Sequence, residues 1–355
     1  MSEQRNRDRD ATTAYRSEFK HAVQLDVSVI IVNYNTRELL RQCLESLANE
    51  TTACAREVIV VDNASGDGSV AMVRERFPGV ILIASDKNMG FSRGNNVGIR
   101  EARGKYLFLL NSDTILLAGA IDRLKEYLDQ HNEASAAGPM LLNEDRTIQR
   151  SWYDFPSVFK TFSHIVGISH LAYRLAETAF FRRIFSVRDK RPAFMVQDVQ
   201  NPMQVDYLVL AALLVRRRIF EEIGLLDEHL FFYHEDCEWG YRTGKAHHRT
   251  FLVPDARIIH LGGSSSSKHI FMAYRENFRG LLYVVNKHEG AARAFLLRLT
   301  ILAGMTVRML LWPLGAFRRI EIGIYAKSSA TATFRQDPWM VFRTYAAIAR
   351  DAVVR

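Results

Sequence analysis

The chain has 355 residues, 48% hydrophobic and 24% charged, enough apolar material for one large or two modest domains with real cores. Its three cysteines, Cys43, Cys54 and Cys237, show no CxxC or paired spacing, which excludes a disulfide framework and a zinc site and points to a cytosolic chain or one facing the cytosol. The formal net charge of +8 asks for an anionic partner, whether nucleic acid, an acidic membrane surface or a phosphorylated substrate.

Residues 1–25 read as a polar, disordered lead, and their first part has no apolar core of a secretory signal. Residues 27–35 form a near-continuous apolar, β-branched run, the pattern of a central parallel strand buried on both faces. Thr36 is placed to cap a helix whose apolar positions are Leu39, Leu40, Cys43, Leu44 and Leu47. Residues 57–62 make a second strand that ends in the carboxylate of Asp62, followed by a helix over 69–77. A third strand covers 80–84, and a helix over 91–102 follows the Gly90 turn. The run 106–111 is a fourth strand, and 118–130 and 136–141 continue with a helix and a strand. Strands alternating with helices at short intervals predict right-handed βαβ units and one parallel sheet, an α/β fold. Two nucleotide classes are excluded. The G-x-G-x-x-G fingerprint is absent after the first strand, and no Walker A loop occurs.

The fourth strand runs into Asn111-Ser112-Asp113. Ligands of open α/β sheets bind at the carboxyl tips of strands, and a carboxylate there suits a divalent cation holding a diphosphate. An Asx-turn capping the next helix reads equally well from this stretch alone. Asp62 can accept the ring N–H of uracil or thymine, or cap its own loop. Between 151 and 202, aromatic residues interleave with Arg and Lys, a pattern of nucleic-acid or membrane contact and also of amphipathic helices packed on a sheet. Residues 205–215 read as a strand or buried segment. An aromatic run then delivers Glu235-Asp236 to a helix start. One carboxylate can enter a cleft as a general base while the other caps the helix or pairs with Arg242. His260 closes a short strand from about 253 and is a further metal-ligand candidate beside Asp113, or a structural histidine.

Val27-Ser-Val-Ile-Ile-Val-Asn-Tyr-Asn35, Val58-Ile-Val-Val-Asp-Asn-Ala-Ser65, Asn88-Met-Gly-Phe-Ser-Arg-Gly-Asn-Asn-Val-Gly98, Leu109-Leu-Asn-Ser-Asp-Thr-Ile115, Phe231-Phe-Tyr-His-Glu-Asp236 and His260-Leu-Gly-Gly-Ser264 occur in this order. In that order the chain resembles the family 2 glycosyltransferases with the GT-A fold, particularly the rhamnosyltransferase-like branch. The resemblance implies a Rossmann-like, mostly parallel sheet flanked by helices over residues 26–268, with 151–202 as an acceptor-side insertion. It implies that Val32, through its backbone, and Tyr34 line a nucleobase pocket and that Asp62 holds the pyrimidine ring. Gly90 and Asn95 would close over the nucleoside. Asn111, Ser112 and Asp113 stand where the family has its D-x-D motif, so Asp113 would bind Mg²⁺ or Mn²⁺ on the diphosphate, with His260 as second ligand. Asp236 would be the catalytic base and Glu235 its supporting neighbour.

The implied reaction is inverting, metal-dependent transfer of a sugar, with rhamnose a candidate, from a UDP- or dTDP-sugar to a hydroxyl of a lipid-linked or polysaccharide acceptor in cell-surface glycan synthesis. One departure is Leu210-Ala211 where the family has Gly-Ala, which would narrow the sugar pocket. A sugar nucleotidyltransferase would need a glycine-rich basic loop where Asn33-Tyr34-Asn35-Thr36 stands. A nucleic-acid-binding module would rest on charge and on 151–202 alone, and no nucleic-acid partner is expected.

Residues 269–355 read as helical, and 291–317 as an amphipathic helix. On a helical wheel Arg293, Arg298 and Arg308 fall within an arc of about 140°. The apolar runs flanking Arg308 are nine residues each, whereas a span needs about 20. An interfacial helix on an anionic membrane is therefore expected, giving a peripheral protein on the cytoplasmic face, with packing on the catalytic domain as the alternative. The composition leaves room for an oligomer.

Overall fold

The computed structural model describes residues 25–165, 199–262, 270–311 and 338–354. Nearly all of the polar lead 1–25, most of the 151–202 stretch, and the end of the 291–317 segment lie outside the described residues. In chain order the elements are β1 (Val27–Asn33), α1 (Arg37–Asn49), β2 (Arg56–Asp62), α2 (Ser69–Arg76), β3 (Ile81–Ala84), α3 (Phe91–Glu101) and β4 (Tyr106–Asn111). There follow β5 (Thr114–Leu116), α4 (Ala120–Gln130), β6 (Ala134–Leu142), β7 (Ile148–Gln149), β8 (Trp152–Tyr153) and α5 (Val158–Ile165). The rest are β9 (Met203–Val205), β10 (Tyr207–Leu208), β11 (Ala212–Arg216), α6 (Arg217–Ile223), α7 (Glu235–Lys245), β12 (Arg249–His260), α8 (Ile270–Glu289), α9 (Ala291–Leu311) and α10 (Pro338–Val354). The chain divides into two units, one of residues 1–155 and 198–262, the other of 156–197 and 263–355.

The first unit is built on a sheet of order β3-β2-β1-β4-β11-β6-β12-β5. Strand β1 explains the arrangement. Its Val29 and Ile31 face one core with Leu40, Cys43, Leu44 and Leu47 of α1, while Ile30 faces the other with Ile99 of α3 and Leu107 and Leu109 of β4. Burial on both faces is why the strand reads as an unbroken apolar run, and the i, i+3, i+4, i+7 spacing on α1 matches a single buried stripe. β1 pairs in parallel with β2 and β4, with Asn33 beside Asp62 and Val32 beside Asn111. From β1 the chain winds out to β3 and then returns to the opposite side of β1 at β4. The β1 and β4 tips thus mark the point where the winding reverses, the place where open α/β sheets bind ligands.

Two expectations need correction. The sheet is parallel-rich, as the resemblance implies, but it is not the single parallel sheet that the strand–helix alternation predicts: β11 lies antiparallel between β4 and β6, and β5 is antiparallel to β12. A doubly buried apolar strand looks the same in sequence whichever way it runs. The segment 205–215 is not one strand. Its parts have three different partners: β9 pairs with β12, β10 with β8, and β11 with β4 and β6.

The second unit is helical in its described residues, with a core that includes Ile165, Leu281, Val285, Leu297, Ile301, Met305 and Tyr345. Arg308 of α9, expected on a polar outer face, is 1% exposed. Its Nε donates to the Ile165 carbonyl at 2.6 Å, and Nη1 lies 3.3 and 3.2 Å from the Tyr274 and Tyr345 hydroxyls. The outside of α9 instead carries Phe295, Leu296, Leu299 and Leu310, all exposed. Among the described residues no helix is long and apolar enough to cross a membrane.

Packing of α3 on β1 gives a stability test. A Cβ at Gly98 would come 2.5 Å from Cγ2 of Ile30, which is fully buried and β-branched and so cannot swing away. Gly98→Ala is expected to destabilise by about 1–3 kcal/mol through overpacking. Gly244→Ala, at an exposed helical position where a Cβ meets nothing, is expected to stabilise by up to about 1 kcal/mol. Urea denaturation of the two variants beside the parent checks both signs.

Candidate active site

At the tip of β1 the chain buries Asn33 completely, and every polar atom of its side chain is engaged. Nδ2 donates to Asp62 Oδ2 at 2.8 Å and to Ser65 Oγ at 3.1 Å, while Oδ1 accepts from the Thr36 hydroxyl at 2.7 Å. The Ser65 amide donates to Asp62 Oδ1 at 2.8 Å. Asn35 and Ala64 take left-handed backbone conformations, φ 53° and 63°, and the Asn35 side chain accepts from the Gly66 amide at 2.8 Å. Thr36 does not cap α1 as expected. Its hydroxyl belongs to this web and also lies 3.0 Å from Ser112 Oγ, while Asp67 from the next loop accepts from the first helical amide, Arg37, at 2.8 Å.

Beyond β4, Asn111, Asp113 and His260 converge. Nε2 of His260 is 3.3 Å from Asp113 Oδ1 and 3.5 Å from Asn111 Nδ2. β12 pairs with β5 through His260 and Thr114, and the Leu261 amide donates to the Asp113 carbonyl at 2.9 Å, which fixes the approach. The imidazole is held from behind by Gln149, a residue without a motif in the sequence. Gln149 Nε2 donates to the His260 carbonyl at 3.1 Å, so its Oε1, 2.6 Å from His260 Nδ1, accepts a hydrogen bond from that nitrogen. With Nδ1 committed to Gln149, Nε2 is the ring nitrogen turned toward Asp113, the orientation that metal-ligating histidines take. Asn111 Oδ1 is buried with no hydrogen-bond partner among the described residues. A carboxylate, an imidazole nitrogen and an orphaned amide oxygen are donors that a divalent cation takes. Among the described residues no three His, Cys, Asp or Glu side chains converge, so the corner offers only part of a coordination sphere.

The Glu235-Asp236 pair stands at the start of α7 as the sequence predicts. The loop before it is clamped to α3: the Phe91 amide donates to the Phe231 carbonyl at 2.8 Å and Ser92 Oγ to the Leu230 carbonyl at 2.7 Å. Asn63 in turn donates to the Gly90 carbonyl at 2.9 Å, linking this clamp to the β2 tip. The chain enters α7 through two left-handed residues, Tyr233 (φ 71°) and His234 (φ 66°), conformations costing roughly 1–3 kcal/mol each that mark functional loops. Glu235 is 6% exposed and its Oε2 has no partner among the described residues. Burial raises its carboxyl pKa, and the neighbouring Asp236 charge raises it further. Burial also raises Asp236, opposed by the Cys237 amide that donates to it at 2.7 Å. Both carboxyls are raised, and Glu235, the more enclosed of the two and with no partner on Oε2 among the described residues, is the one whose surroundings most favour the protonated form. Arg242 pairs with neither. It grips Glu238 at 2.8–3.0 Å.

Beside this pair lies an aromatic row that sequence reading left unresolved. The antiparallel β8–β10 pairing sets Tyr153 opposite Tyr207, their rings 5.8 Å apart, and Phe155 stacks 6.1 Å from Tyr207 and 3.9 Å from Tyr241. A Cβ on Gly240 would come 2.6 Å from the Tyr207 Cβ. The face of α7 that carries residues 236 and 240 therefore lies on this row.

Other expected residues are placed differently. Asp62 is 1% exposed and is first an anchor of the turn, with two of its roughly four acceptor positions taken. Gly90 (φ 87°) has no room for a side chain because a Cβ would meet the Phe231 carbonyl at 2.7 Å. Asn95 is 1% exposed and donates to the Phe91 carbonyl at 3.0 Å, within the first turn of α3. Val32 and Tyr34 are half-buried at the β1 tip. Leu210 and Ala211 are buried, and the Ala211 carbonyl accepts from the Asn111 amide at 2.9 Å.

The profile of the family described as "Glycosyl transferase family 2" matches residues 28–224. The N-acetylglucosaminyl-diphospho-decaprenol L-rhamnosyltransferase of Mycobacterium tuberculosis (strain ATCC 25618 / H37Rv) is 27% identical over 306 residues, 82% of this chain and 94% of that protein. The dTDP-rhamnosyl transferase RfbF of Shigella flexneri is 25% identical over 249 residues, 68% of this chain and 71% of that protein. The mannosyltransferase PcManGT from Pyrobaculum calidifontis, solved in complex with GDP-Man and Mn²⁺, aligns with TM-score 0.52 at 14% identity, covering 97% of this chain and 94% of that one, a likeness of fold.

The carboxyl pair sets a pH test. A carboxyl raised in the folded state binds more protons folded than unfolded, so its presence costs stability as pH rises from its unfolded value through its folded one. Glu235→Gln is expected to gain on the order of 1–3 kcal/mol over the parent at pH 8, the cost of a buried unpartnered charged group. The gain should vanish near pH 4. Denaturation midpoints across pH 4–8 measure it.

Proposed function

The chain belongs to glycosyl transferase family 2 and has its GT-A fold, and from that premise we propose that it transfers L-rhamnose, with inversion, from a dTDP- or UDP-sugar to a hydroxyl of a polyprenyl-diphosphate-linked sugar. The observation that carries this reading is the convergence of Asn111, Asp113 and the Gln149-held His260 at the reversal point of the sheet. Asp113 and His260 would hold Mg²⁺ or Mn²⁺ beside Asn111, and diphosphate oxygens would complete the set. When bound, the cation neutralises charge that grows on the leaving diphosphate.

The protein's own groups do the rest. Val32 and Tyr34 flank the nucleobase and Asp62 meets its ring N–H. Asp236 takes the proton of the acceptor hydroxyl as that oxygen bonds to the anomeric carbon. The bond from that carbon to the diphosphate breaks on the opposite face, and the nucleoside diphosphate leaves. Protonated Glu235 adds no second negative charge beside the base, and the Tyr153–Tyr207 row supplies an apolar wall on the acceptor side. The names of the Mycobacterium and Shigella relatives support a rhamnosyl donor, and that of the former a lipid-linked acceptor. The exposed Phe295, Leu296, Leu299 and Leu310 of α9 support a peripheral seat on the cytoplasmic membrane surface, where such a lipid resides.

Two outcomes test the proposal. With dTDP-rhamnose in excess, Asp236→Asn and Asp113→Ala should each lower transfer by at least about a hundredfold, the low end for loss of a general base. Activity near the parent in either variant would remove that residue from the mechanism. Replacing Phe295 and Leu299 together by Ser should release the protein from sedimenting vesicles of phosphatidylglycerol and phosphatidylethanolamine without unfolding it. Unchanged sedimentation would assign that face another partner.

A further inference from the structure

Deepening that reading at its nucleotide end, we propose that Thr36 is a specificity-determining residue. Its hydroxyl passes hydrogen-bond polarity from Ser112 to Asp62 and commits the base pocket to pyrimidines with a ring N–H, uracil and thymine, against cytosine. The inference rests on Asp62 as the group that meets the base.

The four side chains form a buried line: Ser112 is 8% exposed, Thr36 7%, Asn33 0% and Asp62 1%. In such a line each hydroxyl has one proton to give, and the direction of every bond can be worked out. Asn33 commits both its roles. Its Nδ2 is engaged by Asp62 and Ser65, and its Oδ1, which can only accept, takes the Thr36 hydroxyl as donor at 2.7 Å. Thr36 has then given away its proton and must accept in its 3.0 Å contact with Ser112, which donates. All the dipoles run from the Asp113 loop toward Asp62. A flipped Asn33 amide would set its oxygen against the Asp62 carboxylate and lose the Thr36 donor, so the line locks the amide in one orientation. Asp62 receives N–H groups on both oxygens, from Asn33 at 2.8 Å and from Ser65 at 2.8 Å.

A carboxylate so supplied can only accept on its remaining lone pairs. Uracil and thymine present a ring N–H and satisfy it. Cytosine presents a ring nitrogen lone pair, and two acceptors left facing each other in a buried site are penalised more than a missing contact. The filter reads the ring hydrogen, not the sugar or the ring size. Loss of the Thr36 hydroxyl would free Asn33 to turn its amide, so that Asp62 would lose the N–H that fixes its orientation and with it the strict demand for a ring hydrogen.

Calorimetric binding of dTDP, UDP and CDP with Mn²⁺ present, without turnover, tests this. The parent should prefer dTDP and UDP to CDP. Thr36→Val, and Thr36→Ala as a second variant that puts no methyl against Asn33 Oδ1, should bind dTDP and UDP about tenfold more weakly, the scale of a buried polar atom losing its partner, and should narrow the ratio to CDP. Thr36→Ser should restore both. If Asp62→Asn narrows the ratio while Thr36→Val and Thr36→Ala keep the parent's, the relay is overturned and the base contact stands. If Asp62→Asn leaves the ratio unchanged, the reading of Asp62 itself fails.

Discussion

A fully buried asparagine at the end of a strand is tolerable only when none of its polar atoms is left without a partner, since each orphan costs about 1–3 kcal/mol. Asn33 meets that condition by binding Asp62, Ser65 and Thr36 at once. Because it does so, the tips of β1 and β2 are fixed relative to each other. Through Thr36 and Ser112 the turn after β4 is drawn into the same network. Three loops from different parts of the sequence are thereby held at the reversal point of the sheet. The corners on either side of them inherit their geometry.

Those corners are built on the opposite principle. Where Asn33 is fully satisfied, Asn111 Oδ1 and Glu235 Oε2 are buried without partners among the described residues. The residues leading into Asp236 sit in left-handed conformations that β-strand and helix packing alone would avoid. Such unspent polar atoms and strain are affordable because the flanking structure is strong: doubly buried strands below, and the α3 clamp on residues 226–231. They concentrate where a cation, a diphosphate and an acceptor hydroxyl would each complete an unfinished set.

The first half of the fold was legible because β1, β2 and β4 are apolar on both faces and α1 and α4 carry one clean stripe each, so period and length agree. The direction of β11 and the splitting of 205–215 were not, since pairing partners leave no mark on hydropathy. Asp113, His260, Glu235 and Asp236 could be picked out as carboxylates and a histidine at element ends. Their sorting could not: how far each carboxyl is raised depends on burial, and Glu238 took the Arg242 partner expected for one of the Glu235-Asp236 pair. Thr36 looked like a cap because Asp67, which actually serves that amide, arrives from another loop. Gln149 carried no signal at all, being defined only by its contact with His260. Arg308 misled for a different reason. A helical wheel assumes that charge faces water, whereas here a carbonyl and two tyrosine hydroxyls satisfy the guanidinium inside and leave leucine and phenylalanine outside.

The central claim is that the turn after β4 and the end of β12 form one cation site for a nucleoside diphosphate. Anomalous diffraction at the manganese edge, from crystals grown with Mn²⁺ and dTDP, tests it most directly. The account expects one strong peak within bonding distance of both Asp113 and His260 Nε2, with diphosphate oxygens completing the sphere. A diphosphate bound with manganese elsewhere, or with His260 still turned away from the ion, would contradict it.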